Sequence, residues 1–328
     1  MSGRTAVFTL CCDRSRDKAA PGIWDALARN LDLRDTGTQV EGQPVLEHLD
    51  ETGDRFVFIR TQVVVTTDNR RYMAALEPYF GVASLLGIVN WHEGGGAPES
   101  IFTAHTIADS PSGQFGPVAP RLLRGMLFAL EEARAGMELD RFTTWTEASH
   151  WSGTRYGQPP ELLHAIPVPV LDIEIGSEPA SWTDPRAGEV VARALPRVFQ
   201  NADAAGELVP LLCLGGLHFE PSFREAALGA GRPYGFGTGH ILPNQWLVGG
   251  EYEEGNGLDM LRAAAQSIQG GIAAIVFHDN LKGPIKALGR ALGEELGVPA
   301  LKHQRLRNPE DFLREVRASR RFKALNPN

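Results

Sequence analysis

A chain of 328 residues, 43% hydrophobic and 22% charged, can bury a sizeable core as one large domain or two small ones. No apolar run approaches the roughly 20 residues of a membrane span, and three cysteines, two of them adjacent, exclude a disulfide framework and a Cys-x-x-Cys zinc site. A net charge of −8 excludes a generic nucleic-acid binder, although residues 301–328 hold eight Lys/Arg against three acids, +5 for that segment and −13 for the rest. Met1–Cys12 lacks the layout of a signal peptide, and with the cysteine usage this predicts a reduced, cytoplasmic compartment.

In chain order, Thr5–Cys11 reads as a first strand and Pro21–Leu31 as a helix with Ile23, Leu27 and Leu31 on one face. Phe56–Val65 offers one or two strands, Tyr72–Tyr79 a short helix, and Ser84–Trp91 a strong strand ending at His92. The Gly94–Gly96 loop after it lacks the Gly-Lys-Ser/Thr ending of a phosphate-cradling loop. Ile101–Ile107 is a strand with His105 inside it, Asp109–Pro117 a surface loop, and Pro120–Ala135 a helix. Phe142–Ala148 is a strand running into Glu147, Ser149 and His150, and Ser152–Pro160 a mobile loop. Val168–Ile175 is an apolar strand interrupted by Asp172 and Glu174, whose spacing of two puts both carboxyls on one face. Such acids are costly in a buried strand unless paired, hydrogen-bonded or metal-bound.

Trp182–Phe199 is helical and Pro196 should kink or end it. Val209–Leu214 reads as a buried strand, where Gly215 and Gly216 then allow a ligand to approach and the chain delivers His218. Ser222–Leu228 is a short helix, Tyr234–Pro243 a glycine-studded loop carrying His240, and Leu258–Ile268 a helix. Ala273–Phe277 is a strand ending at His278, and Lys282–Leu296 a helix. Strands alternate with helices throughout, which predicts an α/β class with a mixed, largely parallel sheet flanked by helices. Residues 1–300 read as one domain, with a lobe boundary near 150–165, and residues 301–328 as a basic extension.

His92, His150, His218 and His278 fall at strand ends, with Glu147, Glu174 and Glu220 close by in sequence. Histidine is the usual general acid or base near neutral pH and the commonest metal ligand, so these residues can build a hydrolytic site with or without zinc. The close His-x-x-x-His spacing of a zinc helix is absent, and so is the Gly-x-Ser-x-Gly of a serine hydrolase.

At these motifs the sequence resembles the archaeal and plant type of D-aminoacyl-tRNA deacylase. Glu147-Ala148-Ser149-His150 resembles the family's Glu-Ala-Thr-His-His, and Asp172–Ser177 with Arg186–Glu189 its Ile-Glu-Ile-Gly-Ser and Arg-Ala-Gly-Glu. Gly215–Pro221 is similar to Gly-Gly-Gly-His-Tyr-x-Pro, and Gly239–Pro243 matches Gly-His-Ile-Leu-Pro. Trp151 stands at the second histidine, Leu217 at the third glycine and Pro185 at an acidic position.

The resemblance implies a fold akin to peptidyl-tRNA hydrolases and nucleoside phosphorylases. It implies hydrolysis of the ester between a D-amino acid and the tRNA 3′ ribose, with zinc, by a monomer that binds neither DNA nor membranes. It assigns His218 and His150 as base or metal ligands, Glu174 as the residue orienting one of them, and His240 as a further catalytic group. Gly215, Gly216, Gly237 and Gly239 would give N–H donors to the oxyanion, Trp151 would line the substrate mouth, and Lys282, Lys286 and the basic tail would meet phosphates. Two alternatives stay open on the same scaffold: a hydrolase of a small ester, amide or nucleoside-like metabolite, and a non-catalytic RNA or nucleotide binder.

Overall fold

The computed structural model describes residues 3–94, 96–229 and 234–321. Strand β1 (Thr5–Cys11) is buried along its whole length, as an apolar run without alternation should be when both faces are covered. Helix α1 (Ala20–Asn30) follows, with Pro21 in its first turn, where a missing N–H costs nothing. Strands β2 (Arg34–Val40), β3 (Gln43–Leu49) and β4 (Arg55–Thr61) then form a meander. Neither β2 nor β3 is legible in the sequence: β2 is mostly exposed and polar, and β3 is mostly half-buried without a clear hydrophobic alternation.

Helix α2 (Asn69–Leu76), strand β5 (Ala83–Trp91) and strand β6 (Ser100–Thr106) come next. The predicted surface loop at 109–117 holds a two-stranded pair, β7 (Ala108–Asp109) and β8 (Gln114–Phe115), with Phe115 buried. Helix α3 (Pro120–Gly136), strand β9 (Thr143–Thr146) and strand β10 (Val170–Ser177) complete the first half. One eight-stranded sheet results, in the order β2-β3-β4-β1-β5-β10-β6-β9. Its centre, β4-β1-β5-β10, is parallel, whereas β6 runs antiparallel to β10.

Helices α4 (Pro179–Trp182), α5 (Pro185–Ala194) and α6 (Val198–Ala204) follow, and Pro196 converts the α5–α6 junction to a 3-10 turn at Leu195–Arg197. After them the chain builds a second sheet. Its elements are β11 (Glu207–Leu214), α7 (Pro221–Leu228), β12 (Tyr234–Leu242), α8 (Asn244–Gly249), α9 (Gly257–Gln266), β13 (Ala274–Phe277), α10 (Gly283–Leu296), β14 (Ala300–Lys302) and α11 (Pro309–Ala318). The four strands are all parallel, in the order β12-β11-β13-β14.

The glycine-studded stretch before Pro243 is thus a strand rather than a loop. Its glycines are sites of close packing, since a Cβ on Gly237 would meet Leu208 at 2.8 Å and one on Gly239 would meet Ile268 at 2.4 Å. Residues 301–321 of the basic C-terminal segment are built into the fold, the rest lying outside the described residues: β14 is the sheet edge, and Phe312, Leu313 and Val316 of α11 pack into the second sheet's core. The α/β class with a mixed, largely parallel sheet flanked by helices is therefore what the chain adopts. No helix among the described residues is long and apolar enough to cross a membrane.

Candidate functional site

Strand β9 ends at Thr146, and the next four residues cross from the large sheet to the small one. The Ala148 N–H donates to the His218 carbonyl at 2.9 Å and the Ser149 N–H to the Ile241 carbonyl at 2.9 Å. The Ile241 N–H returns a bond to Ser149 Oγ at 3.0 Å. This stitching holds Glu147 and His150 against the loop that follows β11. That loop turns through Gly215 and Gly216 at φ +85° and +80°, a region that side chains with a Cβ rarely adopt.

Glu147 is the centre of the arrangement and is buried. Its Oε2 lies 2.7 Å from His218 Nε2 and 3.5 Å from His92 Nε2, while its Oε1 accepts from Thr103 Oγ1 at 2.9 Å and lies 3.9 Å from His105 Nε2. The His150 ring stacks on His105 with centroids 4.0 Å apart and reaches within 5.1 Å of His218. On the other side of His105, its Nε2 is 3.9 Å from Asp172 Oδ2, because His105 and Asp172 are register partners across β6 and β10. Asn90 hydrogen-bonds Asp172, and Glu174 stands two residues further along the same face. A cleft of about 530 Å³ opens over this floor, lined by Asn90, His92, His150, Asp172, Glu174 and His218 among others.

The protonation pattern follows from the partners. Burial alone would raise the Glu147 carboxyl, but His105, the hydrogen bond to His218, His150 and His92, whose imidazoles are protonated at the acid pH where a carboxyl titrates, outweigh it and hold the group well below the usual carboxylate range. An ionised carboxylate only accepts, so His218 donates through Nε2–H and keeps Nδ1 as its basic nitrogen. His105 donates through Nδ1 to the Thr106 carbonyl at 3.0 Å, and His150 through Nδ1 to the Ala148 carbonyl at 2.9 Å. Burial lowers His92, His105 and His150 below the ordinary imidazole value, His150 furthest, so all three are neutral near pH 7. Burial pushes Asp172 up to about 8 and Asp17 up to about 7, and pushes Glu174 well above the usual range, with Asp172 and Glu147 adding to that last rise.

These shifts set a pH dependence of stability. The three histidines bind fewer protons folded than unfolded, so they cost stability as pH falls below about 6.5. Asp172 and Asp17 keep a proton in the fold that the unfolded chain loses near pH 4, so their contribution is lost as pH rises towards about 8. Between about pH 7 and 8 the carboxyls dominate, above the histidine range and below the unfolded cysteine value of 9.0. The thermal midpoint of metal-free protein is expected to fall across that window by several degrees, roughly 1–2 kcal/mol. Asp172→Asn should flatten the slope, and a calorimetric midpoint that stays level or rises in the parent would contradict the assignment.

His150, His218 and Glu174 all line the cleft. The residue that orients His218 is Glu147, not Glu174, a role that the Glu-Ala-Ser-His run itself carried. His150 and His218 do not share a candidate metal group: His218 groups with His92 and Glu147, and His150 with His105 and Glu147. His240 does not join them. It is fully buried, 3.2 Å from Thr106 Oγ1 and 2.9 Å from Ser267 Oγ, and burial lowers it to about 3.

Two of the four glycine donors are also spoken for. The N–H of Gly215 bonds the Leu242 carbonyl and that of Gly216 bonds Asn280 Oδ1, whereas Gly237 and Gly239 lie inside β12. Trp151 is buried in the core beside the large sheet rather than lining the mouth. Lys282 pairs with Glu253, and Lys286 Nζ donates to the Asp279 carbonyl at 2.7 Å. In the basic tail, Lys302, Arg305, Arg314 and Arg317 pair with Asp279, Glu315, Asp311 and Glu207.

Comparison with known proteins converges on one family. A profile of the D-aminoacyl-tRNA deacylase family matches residues 80–301. The D-aminoacyl-tRNA deacylase of Pyrococcus abyssi is 24% identical over 294 residues, 87% of this chain and 96% of that protein. The one from Methanoregula boonei is 30% identical over 234 residues, 67% of this chain and 47% of its own length. A crystal structure described as a conserved protein of unknown function shares the fold, with a TM-score of 0.70 over 94% of this chain and 98% of its own at 19% identity. The profile covers more than half of the chain and spans the cluster from His92 to His218, and this protein belongs to the D-aminoacyl-tRNA deacylase family.

Proposed function

We propose that this protein hydrolyses the ester joining a D-amino acid to the 3′-terminal ribose of tRNA. The observation that carries the reading is one ionised, buried carboxylate, Glu147, ringed by His92, His105, His150 and His218, three of which (His92, His150 and His218) line an open cleft. Glu147 fixes the His218 tautomer, and Nδ1 takes a proton from a water as that water attacks the acyl carbon. The carbonyl electrons move to oxygen, where Asn90, Gln245 and Arg155 are among the cleft-wall side chains able to donate. Collapse breaks the bond to the ribose oxygen, which leaves with the proton returned by His218. Glu147 stabilises the imidazolium in between. Three unpaired cysteines suit the reducing cytoplasm.

The residues also fit zinc. His105 Nε2 and Glu174 Oε2 are buried with no hydrogen-bond partner, and with Asp172 they leave acceptor atoms facing one another. Imidazole nitrogen with carboxylate oxygen is a zinc donor set, and His105, Asp172 and Glu174 would hold the ion. A bound zinc supplies Lewis-acid polarisation of the ester carbonyl.

Incubation with D-Tyr-tRNA and L-Tyr-tRNA tests the function: release of tyrosine from the D-ester is expected, and release from neither rejects it. Elemental analysis tests the metal. Close to one zinc per chain is expected, falling at least severalfold in His105→Gln; zinc-free protein whose turnover is untouched by a chelator would remove the ion from the reading.

A further inference from the structure

Large apolar side chains are seldom left in water without a reason when they gather at one place. Four are strongly exposed among the described residues, and two of them, Leu217 at 63% and Tyr156 at 56%, line the same cleft. Trp246 lines it too, and its ring lies 5.2 Å from His218, edge-on, and 5.8 Å from His150. Anything lying on Trp246 is therefore beside the two imidazoles that face the reacting ester. The cleft lining is thus mixed: imidazoles and carboxyls lie deeper, and Leu217, Tyr156 and Trp246 give an apolar, aromatic side to a rim that also carries Glu93, Arg155 and Gln245.

The volume decides what can enter. About 530 Å³ suits a ligand the size of an esterified nucleoside and excludes a folded polynucleotide. With the ester carbonyl at His218, the ribose and its base must point outward, because the polynucleotide continues from them. The part of the substrate at the mouth is then a planar base, and stacking on aromatic and apolar side chains is how single-stranded ends are held.

We propose that Trp246, Leu217 and Tyr156 form a base-holding clamp for the 3′-terminal adenine of the substrate, so that the cleft recognises an aminoacyl-nucleoside rather than an amino-acid ester alone. The assignment rests on the hydrolytic reading above for the orientation of the ester. The clamp gives this enzyme a handle that does not depend on a basic surface. That agrees with the chain's overall charge of −8 and with the pairing of Lys302, Arg305, Arg314 and Arg317 with carboxylates.

A binding measurement separates this proposal from the activity. The probes are 3′-deoxy-3′-(D-tyrosylamino)adenosine, an amide that resists hydrolysis, and D-tyrosinamide, which lacks the nucleoside. Calorimetric titration of the full-length protein is expected to show the adenosine probe binding at least tenfold more tightly. Trp246→Ala and Leu217→Gly should each weaken the adenosine probe on the order of 5- to 100-fold. Trp246→Phe should keep most of the affinity. Both variants should leave the D-tyrosinamide affinity much less changed, so the ratio between probes falls. Equal affinity of the parent for the two probes, or an unchanged ratio in both variants, overturns the clamp. Selective adenosine binding without release from D-Tyr-tRNA would instead reject the hydrolytic function and leave the clamp standing.

Discussion

Glu147→Gln is expected to lower kcat on D-aminoacyl-tRNA by about 10²- to 10⁴-fold, the range that a positioned acid–base system contributes. The change keeps the shape of the side chain and removes its charge. Glutamine still reaches Thr103 Oγ1 and His218 Nε2, so the local packing between β6 and the loop after β11 survives. What disappears is the negative charge that holds the Nε2–H tautomer of His218 and stabilises the imidazolium when Nδ1 takes a proton. Single-turnover kinetics beside circular dichroism and a thermal midpoint would check it. A folded variant within threefold of the parent would show that the carboxylate is structural.

His218→Ala should cost about as much as Glu147→Gln, and the double variant should be no more than about threefold worse than the poorer single. The two groups act through one hydrogen bond of 2.7 Å, so once either is lost the other has nothing left to do. Multiplicative losses in a double-mutant cycle would mean that they serve separate steps. In that case His150, whose ring is 5.1 Å from His218 and whose Nε2 carries no hydrogen atom, is the base to examine next.

Most of the framework could be read along the chain. The buried strands β1, β5, β10 and β11 are apolar runs bounded by polar or glycine residues, and the helices carry their spacing and prolines in the expected places. The unread elements each have a reason. Strands β2 and β3 lie at the sheet's exposed side and lack alternation, and β12 hides behind glycines that serve packing against Leu208 and Ile268.

The site divides in the same way. Places at strand ends singled out His92, His150 and His218, and two acids on one face of a buried strand singled out Asp172 and Glu174, because burying such groups is costly unless they are paired or put to use. Which carboxylate serves which imidazole is a matter of contacts between residues 71 positions apart, as Glu147 and His218 are, and local pattern carries no information about that. The same limit explains His240 and the glycine N–H groups. Each has the right chemistry in sequence, but tertiary contacts take it up: His240 bonds Thr106 and Ser267, and the N–H groups of Gly215 and Gly216 bond Leu242 and Asn280.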